Sequence, residues 1–362
     1  MVGGFLGAGK TTAMLRLAEW VARRGLRPGL ISNDQGSGLV DTALFAARQL
    51  AVEEIPGGCF CCRFNSLVEA ARKLTATTRP DLFLAEPVGS CTDLVATVAY
   101  PLRQIYGSDF TIAPLSVLVD PVRAARVLGL EGGGKFSEKV LYIYRKQLEE
   151  ADCLVINKCD LLTAEKRAAL RAALAGAFLH ARLFEVSART GEGLEAWFSH
   201  LLNTEQQPRA AMDVDYEVYA DGEALLGWLN GTVQLSAARP FDANALLQRL
   251  AQEIQDRLQA AGAEVAHLKM TLDPRSAFGD LAAVNLVRND FVPELSLSLP
   301  DPVERGELTI NLRAEAEPEL LRRAVEASVQ QAAGHEVVAR WQALEAFKPG
   351  KPQPTHRVTA FP

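Results

Sequence analysis

The chain has 362 residues, 48% hydrophobic and 23% charged, an ordinary balance for a globular protein in water. Its length suggests about two domains, each large enough to bury its own core. A net charge of -6 without any basic block argues against a nucleic-acid partner, and no apolar run approaches the ~20 residues needed to span a bilayer.

The glycine-rich start does not read as a signal peptide. Cys59, Cys61 and Cys62 fall within four residues, with Cys91, Cys153 and Cys159 scattered, which suits free thiols in a reducing, cytoplasmic setting better than a secreted disulfide framework. The first part of the chain alternates strand and helix. Residues 11–24 have helical periodicity through Leu15, Leu17, Ala18 and Val21, with Gly25 as a stop. Residues 28–32 read as a strand, 67–75 as a helix, and 81–85, 115–119 and 153–156 as buried strands. Residues 164–175 read as a helix and 182–186 as another strand. This alternation predicts an α/β fold with a mainly parallel sheet covered on both faces. Only Met1 and Val2 precede Gly3, so either the natural start lies upstream or the first strand is stunted.

Residues 203–212 are polar and read as a linker. Beyond them, strand-like stretches at 216–219, 232–235, 264–272, 283–287, 307–312 and 336–339 are interleaved with helices at 243–260 and 318–332. The reading is a P-loop GTPase domain over 1–205, a smaller α+β domain over 206–346, its two helices on one face, and a loose tail over 347–362.

Gly4-Phe5-Leu6-Gly7-Ala8-Gly9-Lys10-Thr11 fits G-x-x-x-x-G-K-[ST] at every fixed position. Glycines let backbone N–H groups turn toward phosphate oxygens at a helix N-terminus. In this pattern Lys10 reaches the β- and γ-phosphates, the Thr11 hydroxyl ligates Mg²⁺, and Thr12 lies near the α-phosphate. Asn157-Lys158-Cys159-Asp160 follows a buried strand in the N-K-x-D arrangement. A carboxylate at Asp160 can accept both N–H donors on one edge of guanine, whereas adenine would leave it unpaired. Asn157 can bond the other edge, Lys158 can lie over the ring, and a backbone N–H of Ser187-Ala188 can hold the guanine oxygen.

With these motifs placed, the chain resembles the CobW-like GTPases, relatives of the nickel-insertion GTPases UreG and HypB. The resemblance covers residues 1 to about 200 and rests on Gly4–Thr12, Asn33-Asp34-Gln35-Gly36, Gly58-Cys59-Phe60-Cys61-Cys62, Glu86-Pro87-Val88-Gly89 and Asn157–Asp160. It implies that Glu86 acts near Mg²⁺ or the attacking water and that Gly89 offers a backbone N–H to the γ-phosphate. There are departures. The family's Asn-Glu-Phe-Gly is Asn33-Asp34-Gln35-Gly36 here, Asp41 stands for a later switch carboxylate, Pro87-Val88 replaces a pair of threonines, and the five histidines form no His-rich tract.

Cys59-x-Cys61-Cys62 places three soft ligands in a tight loop, suited to Zn²⁺ with one open position or to Cu(I). Equally, three small buried cysteines need hold nothing. The resemblance implies metal handling, most often zinc or cobalt. Cys91, Cys153 and Cys159 read as packing residues, with Cys91 a lesser candidate for a fourth ligand; Arg63 could lower thiol pKa or face water. The expected protein is a GTP-hydrolysing metallochaperone with GTP/GDP, Mg²⁺ and Zn²⁺ or Co²⁺ as its cofactors and a metal-receiving client as its partner. No arginine finger is identifiable, so slow turnover is expected, open to acceleration by metal, client or homo-oligomerisation. A GTP-gated assembly factor with structural cysteines and a P-loop ATPase or kinase stay open as rivals.

Overall fold

The computed structural model describes residues 1–33, 40, 45, 48, 50–107, 109–134, 136–276 and 280–361. Of the first-switch positions, Asn33 is included, while Asp34, Gln35, Gly36 and Asp41 lie outside the described residues. The chain forms two compact units: Met1–Gln35, Leu50–Gly222 and Lys351–Pro362 make one, Gly36–Gln49 and Glu223–Gly350 the other.

The first unit holds strands β1 (Val2–Gly4), β2 (Pro28–Asn33), β3 (Val52–Ile55), β4 (Leu82–Glu86), β5 (Ser116–Val119), β6 (Cys153–Ile156) and β7 (Arg182–Glu185). Its helices are α1 (Lys10–Ala22), α2 (Phe64–Thr77), α3 (Tyr100–Tyr106), α4 (Pro121–Val127), α5 (Glu138–Glu150), α6 (Ala164–Ala177) and α7 (Leu194–Asn203), with α8 (Tyr216–Leu225) where the chain passes into the second unit. Every ladder is parallel, ordered β1-β5-β6-β7 and β3-β2-β4, with β4 alongside β1. β5 and β6 are buried along their whole length, which is why they read as unbroken apolar runs. Register decides where the chemistry gathers. Gly4 pairs with Leu118, Val119 with Ile156 and Ser32 with Glu86, so β1, β2, β4, β5 and β6 end along one edge. Parallel strands present the loops after their carboxyl ends together, where open α/β sheets bind ligands.

The second unit is an antiparallel sheet of β8 (Leu226–Phe241), β9 (Glu264–Asp273), β10 (Ala282–Leu286), β11 (Glu294–Leu297), β12 (Val303–Glu315) and β13 (Val337–Phe347) in the order β11-β10-β9-β12-β8-β13. Helices α9 (Ala243–Ala260) and α10 (Pro318–Ala333) pack on it through Leu247, Leu250, Ile254, Leu321 and Val325 against Leu268, Met270 and Leu312. Each such side chain contributes roughly 1.5–3 kcal/mol by leaving water. The two-layer α+β reading therefore holds, and α9 spans the residues that its apolar periodicity marks.

Three expectations are corrected. Residues 216–219 are the start of α8, not a strand. The Asp215 side chain accepts from the N–H groups of Glu217 and Val218, and this cap overrides the strand preference of the tyrosines. The polar stretch after α7 is packed within the first unit: Gln206 is buried, its side chain donates to Asp152 and its backbone N–H donates to Ile112 O. Finally, the residues after β13 are not loose. From Lys351 onward they lie on the first unit, with Thr355 N–H donating to Cys61 O, Val358 N–H to Ala96 O, and the Phe361 ring against Tyr100.

Among the described residues, no helix is long and apolar enough to cross a membrane.

Candidate functional site

The loop after β1 wraps back on itself before α1 begins. Gly9 takes φ 92° and caps α1 without any side-chain hydrogen bond, and a helix N-terminus of this kind favours anions. A Cβ at Gly9 would lie 2.5 Å from Asn157 Nδ2. Lys10 is buried and donates to Gly4 O at 2.9 Å, which keeps its ammonium inside the loop. Thr12, in the first turn of α1, is exposed. The Thr11 hydroxyl donates to Glu86 Oε1 at 3.2 Å, joining the start of α1 to the end of β4. Two hard oxygen groups this close fit the ligand preference of Mg²⁺.

Gly89 faces the same loop. A Cβ there would meet Leu6 Cδ2 at 2.6 Å and Leu6 N at 3.1 Å, so a side chain at this position would press on the phosphate loop. Gln147 of α5 clamps this turn by donating to the carbonyls of Gly89 and Cys91 at 2.9 and 2.8 Å. Tyr219 adds a second clasp, accepting from Thr92 N–H and donating to Ser90 O.

The Asn157–Asp160 turn is tied into the protein. Both ends of the Asn157 amide are engaged within the protein: Nδ2 donates to Ala8 O at 2.9 Å, and Oδ1 accepts from Ala188 N–H at 3.0 Å. Ser187 N–H is likewise taken, by Glu192 O at 2.9 Å. These bonds brace the phosphate loop to the loop after β7, and the Asn157 amide carries a second N–H beyond the one given to Ala8 O. Lys158 takes a left-handed φ of 58° and donates to Gly7 O at 2.7 Å and Asp120 Oδ2 at 2.8 Å. Those bonds offset the roughly 1 kcal/mol or more that such a backbone costs. Asp160 is exposed and has no hydrogen-bond partner among the described residues.

The thiols of Cys59, Cys61 and Cys62 all lie within 4.8 Å of one another. Their sulfurs are 2.7 Å (59–61), 3.2 Å (59–62) and 3.6 Å (61–62) apart. Cys59 and Cys61 are buried and Cys62 half-buried. Hydrogen bonds from Cys61, then Cys62 and Cys91, pull the Cys59 thiol well below its ordinary pKa. The bond to Cys59 holds Cys61 well above the ordinary value and Cys62 at about 11. A soft cation would displace the thiol protons on binding. Two features set the loop's shape. Asn33 Nδ2 donates to Ile55 O and Gly58 O, and Arg63 donates to Gly57 O, so Arg63 braces the turn and is not among the groups shifting the thiols. Cys153 and Cys159 are buried, with their thiols pushed up to about 12 and about 11 by burial, as packing residues.

Sequence reasoning missed the segment that covers this loop. Gln353 N–H donates to Cys62 Sγ at 3.2 Å, Thr355 Oγ1 to Cys62 O at 3.2 Å, and Arg357 Nε to the buried Asp93 at 2.8 Å. No local signal marks a partner nearly 300 residues away. Asp120 and Gln147 were also missed. Asp120-Pro121 is a helix-start signal, and Asp120 does cap α4, but its ion pair with Lys158 is a tertiary accident of register.

The chain is 30% identical to the zinc chaperone YeiR of Escherichia coli over 47% of its own length and 49% of that protein's. It is 28% identical to the zinc chaperone CobW of Sinorhizobium sp, covering 47% of this chain and 53% of that one. The chain thus spans about half the length of the curated relatives it matches. Among solved structures, HypB from Helicobacter pylori in complex with nickel aligns with TM-score 0.41 and 17% identity, covering 56% of this chain and 83% of that one. The model of the CobW/HypB/UreG nucleotide-binding domain matches residues 1–181, half of the chain, and the chain belongs to that family.

Proposed function

We propose that this protein is a GTP-hydrolysing metallochaperone of the cytoplasm that takes a transition metal at Cys59, Cys61 and Cys62 and passes it to a client protein. The observation that carries the reading is the placement of three mutually contacting thiols in the same unit as a complete phosphate loop. The names of the matched relatives, zinc chaperones, favour zinc over cobalt.

In this reading the amides of Gly7, Ala8, Gly9 and Lys10 cradle the phosphates. Gly4 supplies the turn and the carbonyl on which Lys10 rests. Lys10 moves from that carbonyl to the phosphate oxygens, and Thr12 lies near the α-phosphate. Thr11 and Glu86 would hold Mg²⁺, which neutralises charge on the phosphates when bound. Gly89 N–H meets the γ-phosphate, and loss of that phosphate releases the turn it belongs to. Water attacks the γ-phosphorus in line, the bond to the β-phosphate oxygen breaks, and GDP and phosphate leave. Asp160 reads guanine, while Asn157 and Ala188 act through the brace described above and Ser187 shapes its turn. The Lys158 stem flanks the ring.

Calorimetry with GTP and ATP tests the nucleotide half: GTP should bind at least about 100-fold more tightly, because ATP leaves the Asp160 carboxylate without the donors guanine offers. Zinc titration of the wild type and of a Cys59/Cys61/Cys62 triple alanine variant tests the metal half. Equal zinc affinity in the two proteins defeats it.

A further inference from the structure

Helix α1 starts with Lys10 and Thr11 and then carries an arginine that no motif accounts for. Arg16 lies about 9 Å along the axis from Lys10 and one turn beyond Thr12, on the same exposed face. Its guanidinium does not simply stay in water. Nε donates to Ala188 O at 3.1 Å and Nη2 to Arg189 O at 3.0 Å, a fork on two successive carbonyls of the loop after β7. Glu19 does not explain that fork, because its carboxylate stands 3.8 Å from Nη1, the nitrogen that the loop does not use.

The loop that takes the fork is closed on itself. Ser187 N–H donates to Glu192 O, Gly191 N–H to Ser187 O, and Thr190 N–H to the Ser187 hydroxyl, so residues 187–192 form one stiff piece. Two outside grips then meet on a single residue. Asn157 Oδ1 takes the Ala188 N–H at 3.0 Å, while Arg16 takes the Ala188 carbonyl. One grip ties the loop to the Asn157–Asp160 turn, the other to the helix that begins at the phosphate loop. Farther along α1, Trp20 and Arg24 both donate to Glu195 at the start of α7, so the helix acts as a spine for this whole segment.

We propose that Arg16 is a positioning residue for guanine, setting the loop after β7 at the separation from the phosphate loop that a guanine nucleotide spans. The proposal rests on the guanine reading above. A nucleotide binds tightly only when its base and its phosphates are met together, and a stiff loop held at the wrong separation meets one end at the expense of the other. A guanidinium suits the task because its planar fork fixes direction as well as distance, which a lysine point charge does not. Arg16 touches neither base nor phosphate in this role. It acts through Ala188 and Arg189.

The experiment is calorimetry of the full chain with GDP and with ADP, which share their phosphates and differ at the base. In Arg16→Ala, GDP affinity should fall about 10-fold, as expected for two bonds from a charged donor partly in water, while ADP affinity stays within about 2-fold. The ratio of the two is read on folded protein, so a shift in melting temperature does not disturb it. In steady-state hydrolysis KM for GTP should rise by a similar factor with kcat held within about 2-fold. Arg16→Lys should recover part of the loss, and Glu19→Gln, which leaves the fork intact, should bind GDP like the wild type. GDP affinity within about 2-fold of the wild type in Arg16→Ala overturns the proposal. So do equal losses of GDP and ADP, which would mark damage to the phosphate loop, and so does a lower kcat at unchanged KM. A wild type that holds GDP no more tightly than ADP defeats the guanine reading itself, a result separate from any of these.

Discussion

Asn157 offers the sharpest distinction between a brace and a base contact. Replacing it with alanine removes the partner of Ala8 O and the partner of Ala188 N–H, both inside the protein, since Asn157 is only 2% exposed. Each buried group left unpaired costs about 1–3 kcal/mol, so the substitution should destabilise the nucleotide-free protein by about 2–6 kcal/mol. In a unit of this size a kilocalorie moves the melting temperature by about 2–4 °C, which predicts a fall of roughly 4–24 °C. Asn157→Asp should fare little better, because a carboxylate oxygen would then face the Ala8 carbonyl across the present 2.9 Å. The assay is thermal unfolding without nucleotide, paired with GDP calorimetry below the melting range of both proteins. A variant that melts within a degree or two of the wild type yet loses GDP affinity would refute the brace and restore Asn157 as a base contact.

Asp160→Asn exchanges an acceptor for a donor, so affinity for GTP should fall about 100-fold or more while affinity for XTP, whose base carries a carbonyl there, rises; competition between the two nucleotides reads it directly. Burial first, and the nearby Asp93 charge second, push Glu150 up to about 8 in the folded protein. The native state therefore keeps a proton that an unfolded glutamate releases near pH 4.5, and this term is fully present below that pH and lost as pH rises to about 8, at roughly 1 kcal/mol per pH unit. Glu150→Gln can retain bonds to Thr92 and Val95, so its stability advantage over the wild type should grow between pH 5 and pH 8 in urea melts; a constant difference refutes the assignment. Deleting residues 351–362 removes the Gln353 and Thr355 contacts to Cys62, and thiol-reagent kinetics should show that cysteine reacting faster, with no change if the segment does not shield it.

What the sequence made legible has a common physical basis. The phosphate loop, the Asn157–Asp160 turn and the triad each encode their geometry within a few residues: glycines where φ is positive, a lysine and hydroxyl at a helix start, thiols one and two positions apart. Helix α9 and the buried strands β5 and β6 were legible because period alone fixes which face leaves water. The misreadings fall where a distant partner decides. Tyr216 and Tyr219 have strand propensity, yet Asp215 caps a helix there. The residues after Phe347 are rich in proline and lysine and bury little apolar surface, so composition suggests a tail. They are held instead by backbone bonds to Cys61 and Ala96 and by Arg357 reaching Asp93, a carboxylate 1% exposed that also accepts from Tyr216. The thiol site gains a cover for the same reason: the ion pair that retains the segment also sets Gln353 on Cys62. Motif spacing identifies the ligands of such a site, but only tertiary contacts determine how readily each ligand can leave.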